Sequence, residues 1–121
     1  MPSPHLPNGY HPTDHSEKNP QPANFQTVSS LFKLLSDASR LRIFWLLCHY
    51  EVCGTELAAM VDMTPPAVSH LRLLRSSNLL VSRRDGKEVH YRAADTIQAQ
   101  ALHRMIEKMM EISCPKDDMQ R

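Results

Sequence analysis

The spacing of apolar residues switches from helical to alternating just after Ser77-Asn78 and returns to helical at Asp95. That pair of switches constrains the fold more than any other feature of the chain. Between them, Leu80-Val81-Ser82-Arg83-Arg84 and Glu88-Val89-His90-Tyr91-Arg92 flank Asp85-Gly86, a strong signal for a β-hairpin. Upstream, Phe25, Val28, Phe32 and Leu35 predict a helix over about 24–35. Ser36-Asp37 supplies N-cap chemistry for a second helix running to about Cys48, with Leu41, Phe44, Leu47 and Cys48 on one face and Ile43 and Trp45 flanking it. Glu51-Val52-Cys53 reads as a connector or a small strand. Gly54-Thr55 breaks the chain, and Glu56–Val61 makes a short helix. Thr64 is a good N-cap, Pro65 suits a first helical position, and a helix follows to about Ser76 with Val68, Leu71 and Leu74 inward. From Asp95 a last helix carries Leu102, Met105, Ile106, Met109 and Ile112 and ends near Cys114.

Two short helices joined by a tight turn, then a hairpin, then a closing helix, make a mainly α fold with a small β-hairpin. This is the layout of a winged helix-turn-helix. It occupies residues 23–114. Residues 1–22 hold Pro2, Pro4, Pro7, Pro12, Pro20 and Pro22 with few apolar residues, which predicts a flexible His/Pro-rich arm. Residues 115–121 form a polar tail. Apolar runs are too short to cross a bilayer, no export signal is seen, and three cysteines give no closed disulfide framework. A cytoplasmic chain with reduced thiols and no membrane partner is expected.

The formal net charge is only +1, but residues 70–92 hold six Lys/Arg against Asp85 and Glu88, a local +4. Short polar groups near the start of the second motif helix can reach base edges: Thr64, Ser69 and His70, with Arg72 and Arg75 behind them. Arg83, Arg84 and Lys87 would meet the phosphate backbone. The expected partner is double-stranded DNA. With three glycines there is no phosphate loop, and His70 and His90 have no paired nucleophile, so an enzyme is not expected.

Five ordered motifs resemble one family. They are Leu31-Phe32-Lys33-Leu34-Leu35-Ser36-Asp37-Ala38-Ser39-Arg40-Leu41-Arg42-Ile43, then Glu51-Val52-Cys53 with Glu56-Leu57-Ala58, then Thr64-Pro65-Pro66-Ala67-Val68-Ser69. Leu71-Arg72-Leu73-Leu74-Arg75 and Arg84-Asp85-Gly86-Lys87-Glu88-Val89-His90-Tyr91 complete the set. Over about residues 25–113 the chain is similar to the ArsR/SmtB repressors, small bacterial dimers that release DNA when a metal or other inducer binds. The resemblance implies a homodimer formed through the first and last helices, on a palindromic operator. One departure is local: only His70 separates Ser69 from Leu71, one residue fewer than usual, which rotates a helix by about 100°.

The resemblance also offers inducer sites to test. At the fifth-helix zinc site, Asp95 and Glu111 are in place, but Ile97 and Lys108 stand where histidines are needed. His103 nearby reads as a solvent-facing residue. At the arsenite site only Cys53 is present. A third arrangement ties an N-terminal arm to Cys53 and Glu56, and here His11 and His15 offer imidazoles beside them. Such a set suits Zn²⁺ or a similar transition metal. Cys48 and Cys114 echo the two-cysteine persulfide sensors of the family. Metal-responsive repressor, thiol- or persulfide-responsive repressor, and winged-helix protein-interaction module without DNA binding all stay open.

Overall fold

The computed structural model describes residues 19–61 and 65–114, with side chains over 19–60 and 69–114. His11 and His15 of the arm, Thr64, the inward place of Val68 and the tail 115–121 lie outside these. The chain divides into two units, residues 1–32 and 33–121. Helix α1 (Pro22–Leu34), most of which belongs to the first, starts earlier than spacing alone suggests. Proline at its first position loses no needed N–H, and the Asn24 side chain accepts the Gln21 backbone N–H at 2.7 Å.

The second unit holds α2 (Ala38–His49), β1 (Val52–Cys53), α3 (Gly54–Val61), α4 (Pro65–Ser76), β2 (Leu80–Asp85), β3 (Glu88–Ala93) and α5 (Ile97–Ser113). The Asp37 carboxylate caps α2 by accepting the Arg40 backbone N–H at 3.0 Å, and that bond holds its pKa below the ordinary carboxylate value. Thr96 caps α5 in the same way through the Ala99 N–H, also at 3.0 Å. Ile43, Phe44 and Leu47 of α2 are buried, so Ile43 belongs to the core face and does not merely flank it.

α4 ends in a Schellman motif. Asn78 takes the left-handed conformation (φ 65°), the Leu79 N–H donates to the Leu74 carbonyl, and the Asn78 N–H donates to that of Arg75. This closed turn is the physical basis of the period switch at Ser77-Asn78. The hairpin turn falls one residue later than Asp85-Gly86 predicts: Asp85 pairs with Glu88, leaving Gly86-Lys87 at the tip. Gly86 has φ +66°, which a two-residue loop with glycine first requires. The sheet has the order β1-β3-β2, and β1 sets Val52 against Tyr91 and Cys53 against His90. The core gathers Phe44, Ile43, Leu47, Leu57, Leu74, Leu79 and Leu80, each almost wholly buried.

The apolar residues of α5 divide between two faces. Ala99, Leu102 and Ile106 are buried, while Met105, Met109 and Ile112 are exposed.

Candidate functional site

Burial of Leu71 and Leu74 fixes the rotation of α4 and therefore what it presents. Ser69, Arg72 and Leu73 share the outward face, at spacings of three and four residues, and all are exposed. Leu73 was not foreseen; its place one position off the buried Leu74 was the available signal. His70 is half-buried and turned toward α2. Its Nδ1 lies 3.4 Å from an Arg40 guanidinium nitrogen and its Nε2 lies 3.6 Å from the Asp37 carboxylate. His70 therefore joins the N-terminus of α2 and not the outward face of Ser69, Arg72 and Leu73.

Arg75 donates to the Ser82 hydroxyl at 3.2 Å, linking α4 to β2. On the hairpin, Arg84 and Lys87 are exposed. Arg83 is engaged with Glu51, to which it donates at 2.6 and 2.9 Å. That pair raises the arginine's pKa and lowers the glutamate's, so part of the +4 patch is neutralised from β1's side. Arg92 likewise lies 3.2 Å from Asp95 and 3.7 Å from Glu51.

Cys53 and Glu56 meet, and their first task is local. Glu56, third residue of α3, accepts the Cys53 backbone N–H at 2.9 Å. This is the glutamate half of a capping box, the third residue of the helix closing on the residue before it. It lets α3 begin at Gly54, where spacing placed a break. The Glu56 N–H favours the Cys53 thiolate, but the Glu88 and Glu56 carboxyls and burial outweigh it and raise the thiol's pKa. The Cys53 N–H and thiol hold Glu56 below the ordinary carboxylate range. Sulfur and carboxylate are thus adjacent donors, suited to one borderline cation once the thiol sheds its proton. Glu88 and His90, brought in by β3, were not foreseen because strand pairing across 37 residues is invisible to local spacing.

Of the other cysteines, Cys48 is half-buried and Cys114 exposed. Burial, with the charge of Glu107, pushes the Cys48 thiol up to about 11. His103 does not simply face solvent: it meets His49 at the end of α2. At the fifth-helix zinc positions, Asp95 is paired with Arg92 and Glu111 with Lys108.

Comparison with known proteins places this arrangement. Residues 37–82 match the model of bacterial regulatory proteins of the arsR family. The arsenical resistance operon repressor of Escherichia coli is 47% identical over 80 residues, which are 64% of this chain and 68% of that protein. The chain belongs to the ArsR family. It is a winged helix-turn-helix transcriptional regulator and not an enzyme. Another family relative, a transcriptional repressor SmtB homolog of Synechocystis, is 44% identical over 71 residues, 58% of this chain and 54% of its own length. Among solved structures, the homodimeric winged helix-turn-helix DNA-binding domain of Mb0332 from Mycobacterium bovis superposes with a TM-score of 0.65 at 26% identity. The match covers 76% of this chain and 85% of that one. Among the described residues, no helix is long and apolar enough to cross a membrane.

Proposed function

We propose that the chain is a homodimeric repressor that binds a palindromic operator and is released from it by a metal ion such as zinc. The observation that carries the DNA reading is the exposed face of α4, Ser69 with Arg72 and Leu73, followed in the chain by the exposed Arg84 and Lys87 of the hairpin. Hydroxyl and guanidinium groups can pair with base edges, a leucine can pack on a thymine methyl, and hairpin cations supply affinity without sequence choice. The dimer rests on Met105, Met109 and Ile112, which α5 leaves exposed in a helix whose other face completes the core. A two-fold reader of a palindrome needs such a surface.

The inducer reading rests on Cys53 and Glu56, with His11 and His15 of the arm proposed as the further ligands. Relatives named for arsenical resistance and cadmium resistance support a metal as the signal. A cation there would supply Lewis-acid bonding between arm and α3. The chain's own part is to hold thiol and carboxylate side by side through the cap and to release the thiol proton as the ion binds. Any preference of the ion for the DNA-free dimer weakens DNA binding by the same factor.

The test is anisotropy of a palindromic duplex, obtained by in vitro selection, titrated at several salt concentrations. A steep negative slope of log K against log salt is expected, and Arg84→Ala or Lys87→Ala should each reduce it by about 1. Arg72→Ala should cost about 1–3 kcal/mol and relax sequence choice. A flat, weak response removes the DNA reading and leaves an interaction module. Zn²⁺ should weaken the complex, and Cys53→Ser with deletion of the arm should abolish that effect. Unchanged affinity with zinc removes the metal reading.

A further inference from the structure

Among the described residues, one group of three metal-ligating side chains has its donor atoms within 4.8 Å of one another: His49, His103 and Glu107. His49 is the last residue of α2, and the other two stand one turn apart on α5. The Nε2 atoms of the two histidines are 3.1 Å apart, and Glu107 Oε1 lies 3.7 Å from that of His103 and 3.9 Å from that of His49. The carboxylate oxygen is too far from either nitrogen to be a good hydrogen-bond partner. Its partner oxygen accepts the Trp45 indole N–H at 3.0 Å, which tethers the half-exposed carboxylate beside the histidines. Three atoms at these separations are equidistant from a point about 2.1 Å from each, the bond length zinc forms with imidazole nitrogen and carboxylate oxygen.

We propose that His49, His103 and Glu107 form a divalent transition-metal site that clamps the end of α2 to the middle of α5. Its supporting shell is already built. Trp45 packs against His49 with the rings tilted and their centroids 4.4 Å apart, while its indole N–H holds Glu107, so one residue touches two of the three ligands. The two imidazole rings lie nearly perpendicular with centroids 4.8 Å apart, and their Nε2 atoms come within 3.1 Å of each other. A cleft of about 260 Å³ lined by His49, His103, Cys48 and Gln100 opens beside them and gives an ion a way in. Two imidazoles and one carboxylate from one chain leave a fourth position for water, the donor set of an open zinc site. Nitrogen and oxygen donors favour Zn²⁺, Co²⁺ or Ni²⁺ over Ca²⁺ or Mg²⁺. The site uses neither the arm nor Cys53, and it stands whether or not the chain reads DNA.

The experiment uses the full chain with His5, His11 and His15 changed to Gln and Cys53→Ser, which removes the arm donors and the capping thiol. Co²⁺ should bind at one equivalent per chain with visible ligand-field bands and no thiolate charge-transfer band, and Zn²⁺ should displace it. Zinc should also raise the melting temperature, since it binds the folded chain. His103→Gln should weaken binding by more than about 100-fold, and Trp45→Phe, which only loosens the ligands, by about 10–100-fold. Binding of Co²⁺ that is unchanged by His103→Gln, or no binding above that of Ca²⁺ in the parent, overturns the proposal. Circular dichroism of the metal-free variants separates ligand loss from unfolding. Should His103→Gln not fold, Trp45→Phe and Glu107→Gln decide by the same affinity criterion.

Discussion

Two clusters of ligating side chains lie in the winged-helix unit, and they are held by opposite means. Cys53 and Glu56 are three residues apart, and the start of α3 brings them together whatever the rest of the fold does. His49 and His103 are 54 residues apart and meet only because α5 docks on α2. The first cluster is part of the secondary structure: its carboxylate satisfies a backbone group, and an ion must share it. The second satisfies no backbone group in the described contacts, and its carboxylate is held by the Trp45 indole. A local motif is thus easy to read and ambiguous in purpose, whereas a tertiary one is hidden until folded and clearer in purpose.

The largest expected effects come from cutting the packing under one cluster and leaving the other. Ile106 and Leu57 are both buried, the former beneath α5 and the latter beneath α3. Either one changed to alanine should cost about 2–5 kcal/mol in a urea unfolding titration. Under native conditions Ile106→Ala should weaken Co²⁺ binding at His49, His103 and Glu107, because the helix carrying two ligands loses its anchor. Leu57→Ala should leave that binding alone while exposing Cys53 to alkylation. If both variants weaken Co²⁺ binding equally, the clusters are not independent and the comparison breaks.

The same contrast explains what the amino-acid sequence revealed. Elements set by local chemistry were legible: the Asp37 cap, the proline start of α4, the hairpin, and Leu71 and Leu74 of the core. Where local geometry differed by one residue, the reading slipped by one, as at the Gly86-Lys87 tip, where glycine's positive φ decides which residues form the turn. His70, expected near base edges, lies beside Asp37 and Arg40, a contact between helices that local spacing does not show. The engagement of Arg83 by Glu51, Cys53 beside His90, and His103 against His49 all depend on strand pairing or helix docking, which no periodicity encodes.

Acid titration sharpens the local side of the comparison. Glu56 is held below its ordinary 4.5 by the Cys53 N–H and thiol, and Asp37 is held below its ordinary 3.8 by the Arg40 N–H. A depressed folded pKa stabilises the fold above the unfolded value. That contribution fades as pH falls through 4.5 for Glu56, or 3.8 for Asp37, and is gone below the folded value. Melting temperatures from pH 6 down to pH 3 should therefore drop less steeply in Glu56→Gln, which keeps the cap without the charge, than in the parent chain. At pH 6 Glu56→Ala should melt lower than Glu56→Gln. Parallel acid limbs in parent and Gln variant would mean that Glu56's charge contributes nothing to holding α3.

The smallest effect probes the tertiary cluster through its neighbour. Cys48 precedes His49, and its thiol is raised to about 11 first by burial and then by the charge of Glu107. At pH 8 iodoacetamide should modify the exposed Cys114 well before Cys48, because little thiolate is present at the latter and access is restricted. Glu107→Gln removes only the second cause, so Cys48 alkylation should quicken by a few-fold and remain slower than that of Cys114. Zinc at the cluster brings positive charge to the same place. In the parent chain it should quicken Cys48 alkylation in the same direction, and in His103→Gln it should not. A zinc effect of equal size in both chains would place the ion elsewhere and leave Trp45 holding Glu107 for packing alone.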